Sequence, residues 1–503
     1  MNWKIIWKSF KSQDMRTRVF AVLGMLFIFR VLAHIPIPLS DPETLKQVLE
    51  NLFSSADTPQ LLSFIDVLSG GALANFSIML VGLGPYINAS IIMQLLTKAI
   101  PQLESLNKEG EFGRRKINQY TRMLTLPLAI IQSVGAIYLV RQSALQIGGI
   151  GDITAGTSLA QWVLMVASLT GGAMLLMWLG ELITEQSVGN GISLLITVGI
   201  VSTLPATIST LYSAVFSGGA TEIFGFTFGF DKSQALFAAI IIGVTALMTV
   251  FVVKLNEASR RLTVNYAKRI QGNRAYGGVT TVLPVKLITA GVIPIIFAVA
   301  FLSVPAFVGQ IMTSSSSARL QELGTNLSIW FQTPSPESFA VPGFTPYIYP
   351  LVYFVLVFAF TFFYTSITFN SKEIAENLQK QGGFIENVRS GTQTEKYLSQ
   401  VVNRLTLFGA LALGLLAIVP IIGQAFLRSN IALGGTSILI LVAVALETLR
   451  SVESRALMVT YDQYEQPDFF YDSDSALEQG YGVKSRLRFL PKRGKKPTDE
   501  KKS

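Results

Sequence analysis

The sequence predicts an all-α polytopic membrane protein with ten transmembrane helices. Three observations carry this. Half of the 503 residues are apolar and only 14% are charged. The charges are bunched between long uncharged runs, and the mean hydropathy is +0.48. The basic residues also fall almost entirely on one side of the crossings these runs define. At about 20 residues per crossing, the chain holds ten spans and still keeps sizeable loops.

In residues 2–12, NWKIIWKSFKS, Trp3, Ile6, Trp7 and Phe10 lie on one helical face and Lys4, Lys8 and Lys11 on the other. That pattern predicts a helix lying in the membrane interface, within an amphipathic segment over 1–18. A first span over 19–37 ends at the breakers Pro36 and Pro38. A cleaved signal peptide also begins basic and then apolar, but this run is long, carries Arg30 and lacks a small-residue cleavage site. After a polar segment, 39–65, Asp66 to Leu96 reads DVLSGGALANFSIMLVGLGPYINASIIMQLL. Its first ten or so residues are Gly-interrupted and half apolar, and they run without a linker into a Pro-containing second span over 76–97. A short half-embedded piece set against a spanning helix suits a chain that manages a pathway through the membrane. The remaining spans are expected at 122–141, 160–180, 189–213, 234–254, 285–312, 347–369, 404–427 and 432–450.

Basic residues are retained in cytoplasmic loops, so their positions fix the orientation. With a cytosolic N-terminus, 34 of the 40 Lys and Arg lie on the cytosolic side. Lys46, Arg141, Lys232, Arg319 and Arg428 lie opposite, and Arg30 alone sits within a span. A miscounted span would scramble this split. Both termini are therefore expected in the cytosol, with the protein multi-pass in the cytoplasmic (inner) membrane. The net charge of +9 then belongs to basic loops and does not require a nucleic-acid ligand.

Composition also excludes chemistry. With no Cys and only His34, thiolate metal sites, HExxH zinc sites and His-dependent triads are ruled out. Apart from Arg30 and the terminal Glu447, the spans carry no ionisable interior side chain, whereas ion-coupled transporters and intramembrane proteases depend on such groups. No catalytic residue, metal site or cofactor is expected. The charge sits in the loops. KEGEFGRRKINQYTR, residues 108–122, is a compact charged turn that reads equally as a docking surface or as a generic positive-inside loop. Loops 254–286 and 370–404 are longer than a connection requires, and their interleaved Arg, Tyr and Asn suit docking to a large partner, including one that bears RNA.

These features together resemble the SecY family, the channel subunit of the Sec protein translocon, over residues 16–465. The segments that carry the likeness are IPIP (35–38), SGGAL and PYINASIIMQLL (69–73 and 85–96), KEGEFGRRKINQYTR, MWLGELITEQSVGNGIS (177–193), RRLTVNYAKR (260–269), AGVIPIIFA (290–298), FYTSITFN (363–370) and GGTSILI (434–440). The resemblance implies two pseudo-symmetric five-helix halves, 19–213 and 214–450, around a central hourglass pore. It implies a plug over about 66–76, including Ser69, Gly70, Gly71, Ala72, Leu73 and Ala74. The pore constriction falls on Leu83, Ile87, Ile196, Ile200, Ile296 and Ile440. A ring of branched aliphatics grips an extended chain sterically, offers it no hydrogen bonds and dewets against ions; on periodicity alone each of these residues reads as ordinary helix packing.

The resemblance places a lateral gate between the second and third spans and the seventh and eighth. Gly84 and Pro85, with Gly291 and Pro294, are the expected flex points, although structural kinks without a gating role read the same. Arg260, Arg261, Lys268, Arg269, Arg274 and Arg389 correspond to positions that meet the ribosome, including its RNA, or the motor ATPase SecA. The implied partners are SecE-like and SecG-like membrane subunits, signal-sequence-bearing preproteins and membrane lipids. The implied function is translocation of unfolded secretory proteins and lateral insertion of membrane proteins, without catalysis. An accessory translocon, an assembly factor and a solute transporter are the alternatives. The sequence departs from the family pattern at Leu39, Asn273 and Ile288. The tail over 451–503, acidic and then basic, is expected to be disordered from about 466, with anionic lipid and ribosomal RNA both suited to it.

Overall fold

The computed structural model describes residues 13–37, 69, 71–72, 76–146, 157–216, 221–223, 226–228, 232–266, 269–271, 274–276, 280–289, 291, 293–313, 317–334, 338–339, 343–427 and 435–462. The amphipathic stretch 2–12, the plug positions Gly70, Leu73 and Ala74, the docking candidate Lys268 and the tail beyond 462 lie outside these residues.

The architecture is mostly helical. The helices are α1 (Gln13–Leu32), α2 (Gly84–Ala99), α3 (Pro101–Lys108), α4 (Glu111–Gln146), α5 (Leu159–Glu185), α6 (Gly191–Phe216), α7 (Lys232–Glu257), α8 (Ile293–Thr313), α9 (Ala318–Phe331), α10 (Thr345–Thr368), α11 (Ser371–Lys380), α12 (Thr392–Leu427) and α13 (Gly435–Asp462). The strands are β1 (Thr221–Ile223), β2 (Phe226–Phe228), β3 (Ser259–Tyr266), β4 (Arg269–Gln271), β5 (Arg274–Tyr276), β6 (Thr280–Lys286) and β7 (Gly383–Ile385). All-α is thus corrected to mostly α with small antiparallel sheets. Each expected span lies wholly or largely on a helix. By length and composition, Leu159–Glu185, Ala238–Glu257, Thr345–Lys380 and Thr392–Gly423 are sufficient to cross a membrane, and Gly191–Pro205 and Ile293–Gly309 are shorter apolar helices.

Local chemistry sets the helix ends. Ser158 caps α5 reciprocally: its hydroxyl accepts from Gln161 N at 3.4 Å, and Gln161 Oε1 accepts from Ser158 N at 2.8 Å. Asn190 Oδ1 accepts from Ile192 N and Ser193 N at the start of α6. The turn between α5 and α6 is tight because a Cβ on Gly191 would collide with the Gly180 carbonyl oxygen. Thr184 Oγ1 ties that turn, donating to Gly180 O at 2.8 Å and accepting from Gly191 N at 2.9 Å.

Two expected spans begin later than their hydropathy suggested. Residues 76–83 form turns, and α2 begins only at Gly84 with Pro in its first turn. The seventh expected span, from 285, does not begin on a helix either: β6 runs to Lys286, Gly291 holds φ +61, and α8 starts at Ile293. Proline at a helix start loses no intrahelical bond. Pro85 and Pro294 are therefore helix initiators, which corrects the expectation of kinks inside the spans. The interior prolines are Pro127, Pro205, Pro305, Pro350 and Pro420.

The two long loops fold together. β3 pairs with β6, in register Leu262 to Leu283, and with β7, in register Val264 to Ile385. Leu262, Val264 and Val285 bury against Ala375 and Leu378 of α11, Ile385 of β7 and Leu398, Val401 and Val402 of α12. Loops read separately in the sequence thus share one small core, and α12 is long enough, roughly 54 Å at 1.5 Å per residue, to serve both that core and a membrane crossing.

Contacts divide the chain into two units, cut between Arg18 and Val19 and between Ser451 and Val452. In the smaller, Asp14 pairs with Arg18 at 3.0 Å and with Arg455 at 3.6 Å. The larger, 19–451, holds the features that follow.

Candidate functional site

The site begins at residue 76. Phe76 is buried at 3% exposure and holds a left-handed backbone, φ +43, which a bulky side chain adopts only under constraint. The constraint is visible. Ile37 N donates to Phe76 O at 3.0 Å, Ile78 N to Ile35 O at 3.0 Å, and Ser77 N to Ala72 O at 2.9 Å. Ser77, itself fully buried, donates its hydroxyl to Leu32 O at 2.9 Å and accepts from Met79 N at 3.1 Å. From α5, Gly172 presses on the same turn, since a Cβ there would collide with the Ile78 carbonyl oxygen. Upstream, Ser69 and Ala72 are buried, and Gly71 turns the chain at φ +80. The trailing end of the expected plug is therefore fixed between the end of α1 and the middle of α5.

The chain then enters α2, where Ile87 N bonds to Leu83 O at 3.0 Å and stacks these two aliphatics one turn apart. Both are buried, as are Ile196 and Ile200, a turn apart on α6. Ile296 on α8 is half-buried, and Ile440 on α13 is 4% exposed. A cavity of about 700 Å³, counted with the open space at its mouth, brings Ile87, Ile296 and Ile440 together. Leu83, Ile196 and Ile200 are not in its lining. The polar lining comes from Asn88, Gln132 and Ser303, so the cavity offers hydrocarbon walls with a few neutral hydrogen-bonding groups and no charge.

This cavity lies along a seam where α8 packs against α2 and α4. α8 is in turn joined to α10 by edge-on aromatic pairs, Phe297 with Phe360 at 6.1 Å and with Tyr364 at 6.2 Å, and Phe301 with Phe360 at 6.0 Å. Such pairs contribute about 0.5–1.5 kcal/mol each beyond area burial. On the other side of the seam, α4 and α5 are clamped by Arg122 and Glu181, whose two contacts measure 2.9 Å (Nε to Oε1) and 2.6 Å (Nη2 to Oε2). The sequence reading missed Gln132 and Ser303, as well as the Ser77 and Gly172 contacts; a lone Ser or Gly in an apolar run carries no signal of its neighbours.

The docking candidates divide. Arg260 and Arg261 are exposed at the α7 end of β3. Arg269 and Arg274 lie on the β4–β5 hairpin, where Arg269 pairs with Tyr276 and Arg274 with Gln271. Arg389 is exposed in the turn after β7, its carbonyl accepting from Thr394 Oγ1 at 2.9 Å. The described candidates thus fall on β3, on the separate β4–β5 hairpin and on the turn after β7.

A family model for SecY matches residues 77–449. The chain belongs to the SecY family. SecY-family relatives confirm the extent: the chain is 39% identical over 461 residues to the protein translocase subunit SecY of Streptomyces scabiei, covering 91% of this chain and 98% of that protein. It is 40% identical to the SecY subunit of Streptomyces griseus, again over 91% and 98%. Among solved structures, a protein-conducting channel shares the fold with a TM-score of 0.58 at 16% identity, covering 88% of this chain and 93% of that one. A SecY channel solved to study its plug domain gives 0.55 at 17% identity over 89% and 94%. Sec61 from a canine ribosome–channel complex gives 0.56 at 16% over 88% and 93%.

Proposed function

We propose that the seam between α2 and α4 on one side and α8 and α10 on the other is a lateral gate, and that the cavity along it belongs to a closed pore. As a SecY-family member, the chain is a protein-conducting channel subunit of a membrane translocase and is not an enzyme. The observation that best supports the pore reading is the meeting of Ile87, Ile296 and Ile440, from three helices, at one uncharged cavity. In this reading Leu83, Ile196 and Ile200 complete the constriction. Residues from about 66 to 76, including Gly70, Leu73 and Ala74, form the plug.

Ten spans with both termini cytosolic are supported by the basic-residue distribution, and their division into two five-helix halves by the family resemblance. Opening separates α8 and α10 from α2 and α4 by rotation at their starts, at Gly84–Pro85 and Gly291–Pro294, where no complete helix must break. A translocating chain meets only aliphatic side chains at the neck, so it slides without being bound. A hydrophobic segment leaves through the gate into lipid. The driving force is external: a SecA-like motor or a translating ribosome, docked through Arg260, Arg261, Lys268, Arg269, Arg274 and Arg389. SecE-like and SecG-like subunits complete the assembly. Depleting the protein should stop preprotein export and membrane insertion; unchanged export would remove this reading. A non-conducting assembly factor would also tolerate polar residues at Ile87, Ile296 and Ile440, which a channel does not.

A further inference from the structure

The helix after α8 has no place in the channel reading, and its packing is unusual. α8 and α9 form an antiparallel hairpin whose backbones touch. A Cβ on Gly309 would stand 2.8 Å from Ser328 N, and one on Gly324 would stand 2.6 Å from Gly309 O and from Thr313 N. This pairing sets Trp330 opposite Phe307 and Leu327 opposite Gln310. α9 therefore runs back along α8, and its far end lies about 10 Å below the level of Thr313 at 1.5 Å rise per residue.

Four apolar side chains of α9 share one face, while a fifth, Ile329 at 51% exposure, lies on the opposite arc. At 100° per residue, Leu320, Leu323, Leu327 and Trp330 fall within an arc of about 80°, next to the Gly324–Ser328 contact face. Leu320, Leu323 and Trp330 are exposed at 42%, 54% and 42%. Gln321, Glu322 and Thr325, also exposed, lie on the other arc. On α8, the exposed Val308 and Val304 lie about 100° and 140° round from Gly309, in the same rotational sense as the α9 stripe from Gly324. In antiparallel helices, an equal rotational sense turns both stripes to the same side of the hairpin. The two helices thus present one continuous apolar face.

We infer that α9 is a re-entrant helix that runs back along the gate helix α8, with Leu323, Leu327 and Trp330 of its stripe among the acyl chains of the outer leaflet. The occupant is lipid because the stripe continues a helix face, Val304 and Val308 of α8, that already requires lipid. Arg319, at the turn end, stays at headgroup level. The inference rests on the reading that α8 spans the membrane, with its C-terminal end on the extracytosolic side.

The absence of Cys allows single cysteines to be placed in the native chain. Full-length protein carrying L323C, L327C, Q321C, T325C or V304C is spin-labelled and reconstituted in phosphatidylethanolamine–phosphatidylglycerol vesicles. Collision rates are then measured with oxygen and with a water-soluble nickel chelate. The expected result is an oxygen-to-nickel ratio several-fold higher at 323 and 327 than at 321 and 325, with 304 resembling 327. Nickel-dominated collisions at 323 and 327 with 304 still oxygen-dominated would overturn the inference and leave the spanning reading standing. Exclusion of both reagents at 323 and 327 would also overturn it, since protein rather than lipid would then cover the stripe. Nickel-dominated collisions at 304 would remove the spanning reading itself.

Discussion

Gly172, in the middle of α5, lies directly against the carbonyl oxygen of Ile78, leaving no room for a side chain. This contact and the Ser77 hydroxyl bond to Leu32 O hold the turn at residues 76–79, where the proposed plug ends. Gly172→Ala should push that turn off α5 at a cost of about 1–3 kcal/mol, the usual penalty for overpacking. Ser77→Ala removes one buried hydroxyl and its two bonds, for about 1–2 kcal/mol. Both variants should also raise resting ion conductance in planar bilayers. Destabilisation without a change in conductance would make the contact merely structural.

The three aliphatics at the cavity allow a graded test. Ile87→Asn, Ile296→Asn and Ile440→Asn each place a polar amide where the walls are apolar. Ion leak through the resting channel should rise in all three, because a wetted neck no longer excludes ions. Preproteins with defective signal sequences should also be exported more readily. Ile→Leu at the same positions keeps volume and polarity and should cost under about 1.5 kcal/mol, with leak unchanged. Proteoliposome ion flux together with in vivo export of a signal-defective reporter reads both effects.

The α3–α4 turn depends on one glycine. A Cβ on Gly113 would collide with the Leu106 carbonyl oxygen, and Gly110 holds φ +81 immediately before α4 begins. Gly113→Val should open this turn and lower thermal stability in detergent, by about 1–3 kcal/mol, while leaving the pore cavity intact. A normal resting conductance with reduced motor-stimulated translocation is the expected signature.

Lys286, the last residue of β6, titrates below the usual lysine range. Partial burial withdraws water from its ammonium and Arg450 repels it, while Glu447 acts in the opposite direction. The charged form is thus disfavoured in the fold. That cost is fully present below the folded pKa and disappears as the pH rises past the unfolded value. Glu447→Gln removes the opposing attraction, so Lys286 should titrate lower still. Reductive ¹³C-methylation and NMR titration measure the shift, with Lys286→Arg identifying the resonance; an upward shift in Glu447→Gln would contradict the assigned causes.

The helical stretches were legible because a membrane leaves backbone groups few options, so long apolar runs become helices. Their starts were less legible. Hydropathy carried the second span back to Phe76 and the seventh back to 285, but turns and β6 occupy those residues, since hydropathy registers apolarity and not hydrogen-bond pattern. Proline in an apolar run was read as a kink, although its position relative to the helix start decides its effect; Pro85 and Pro294 begin helices, and Pro305 lies within one. The joint core of loops 254–286 and 370–404 was invisible because it pairs Val264 with Ile385, more than a hundred residues apart. The aliphatic ring was readable only through resemblance. Nothing in the local sequence marks Ile87, Ile296 and Ile440 apart from their neighbours, and their meeting at one cavity is a property of the tertiary fold.

We propose that the resting protein is a channel held shut by a plug and an apolar neck. Deletion of Ser69 to Ala74 tests it most directly, with wild type and deletion compared at matched reconstitution in planar bilayers without partners or substrate. The wild type should show almost no ion conductance, and the deletion should open frequently to a sustained ionic current. Equal, near-zero conductance in both, with the deletion protein folded and incorporated, would contradict the account.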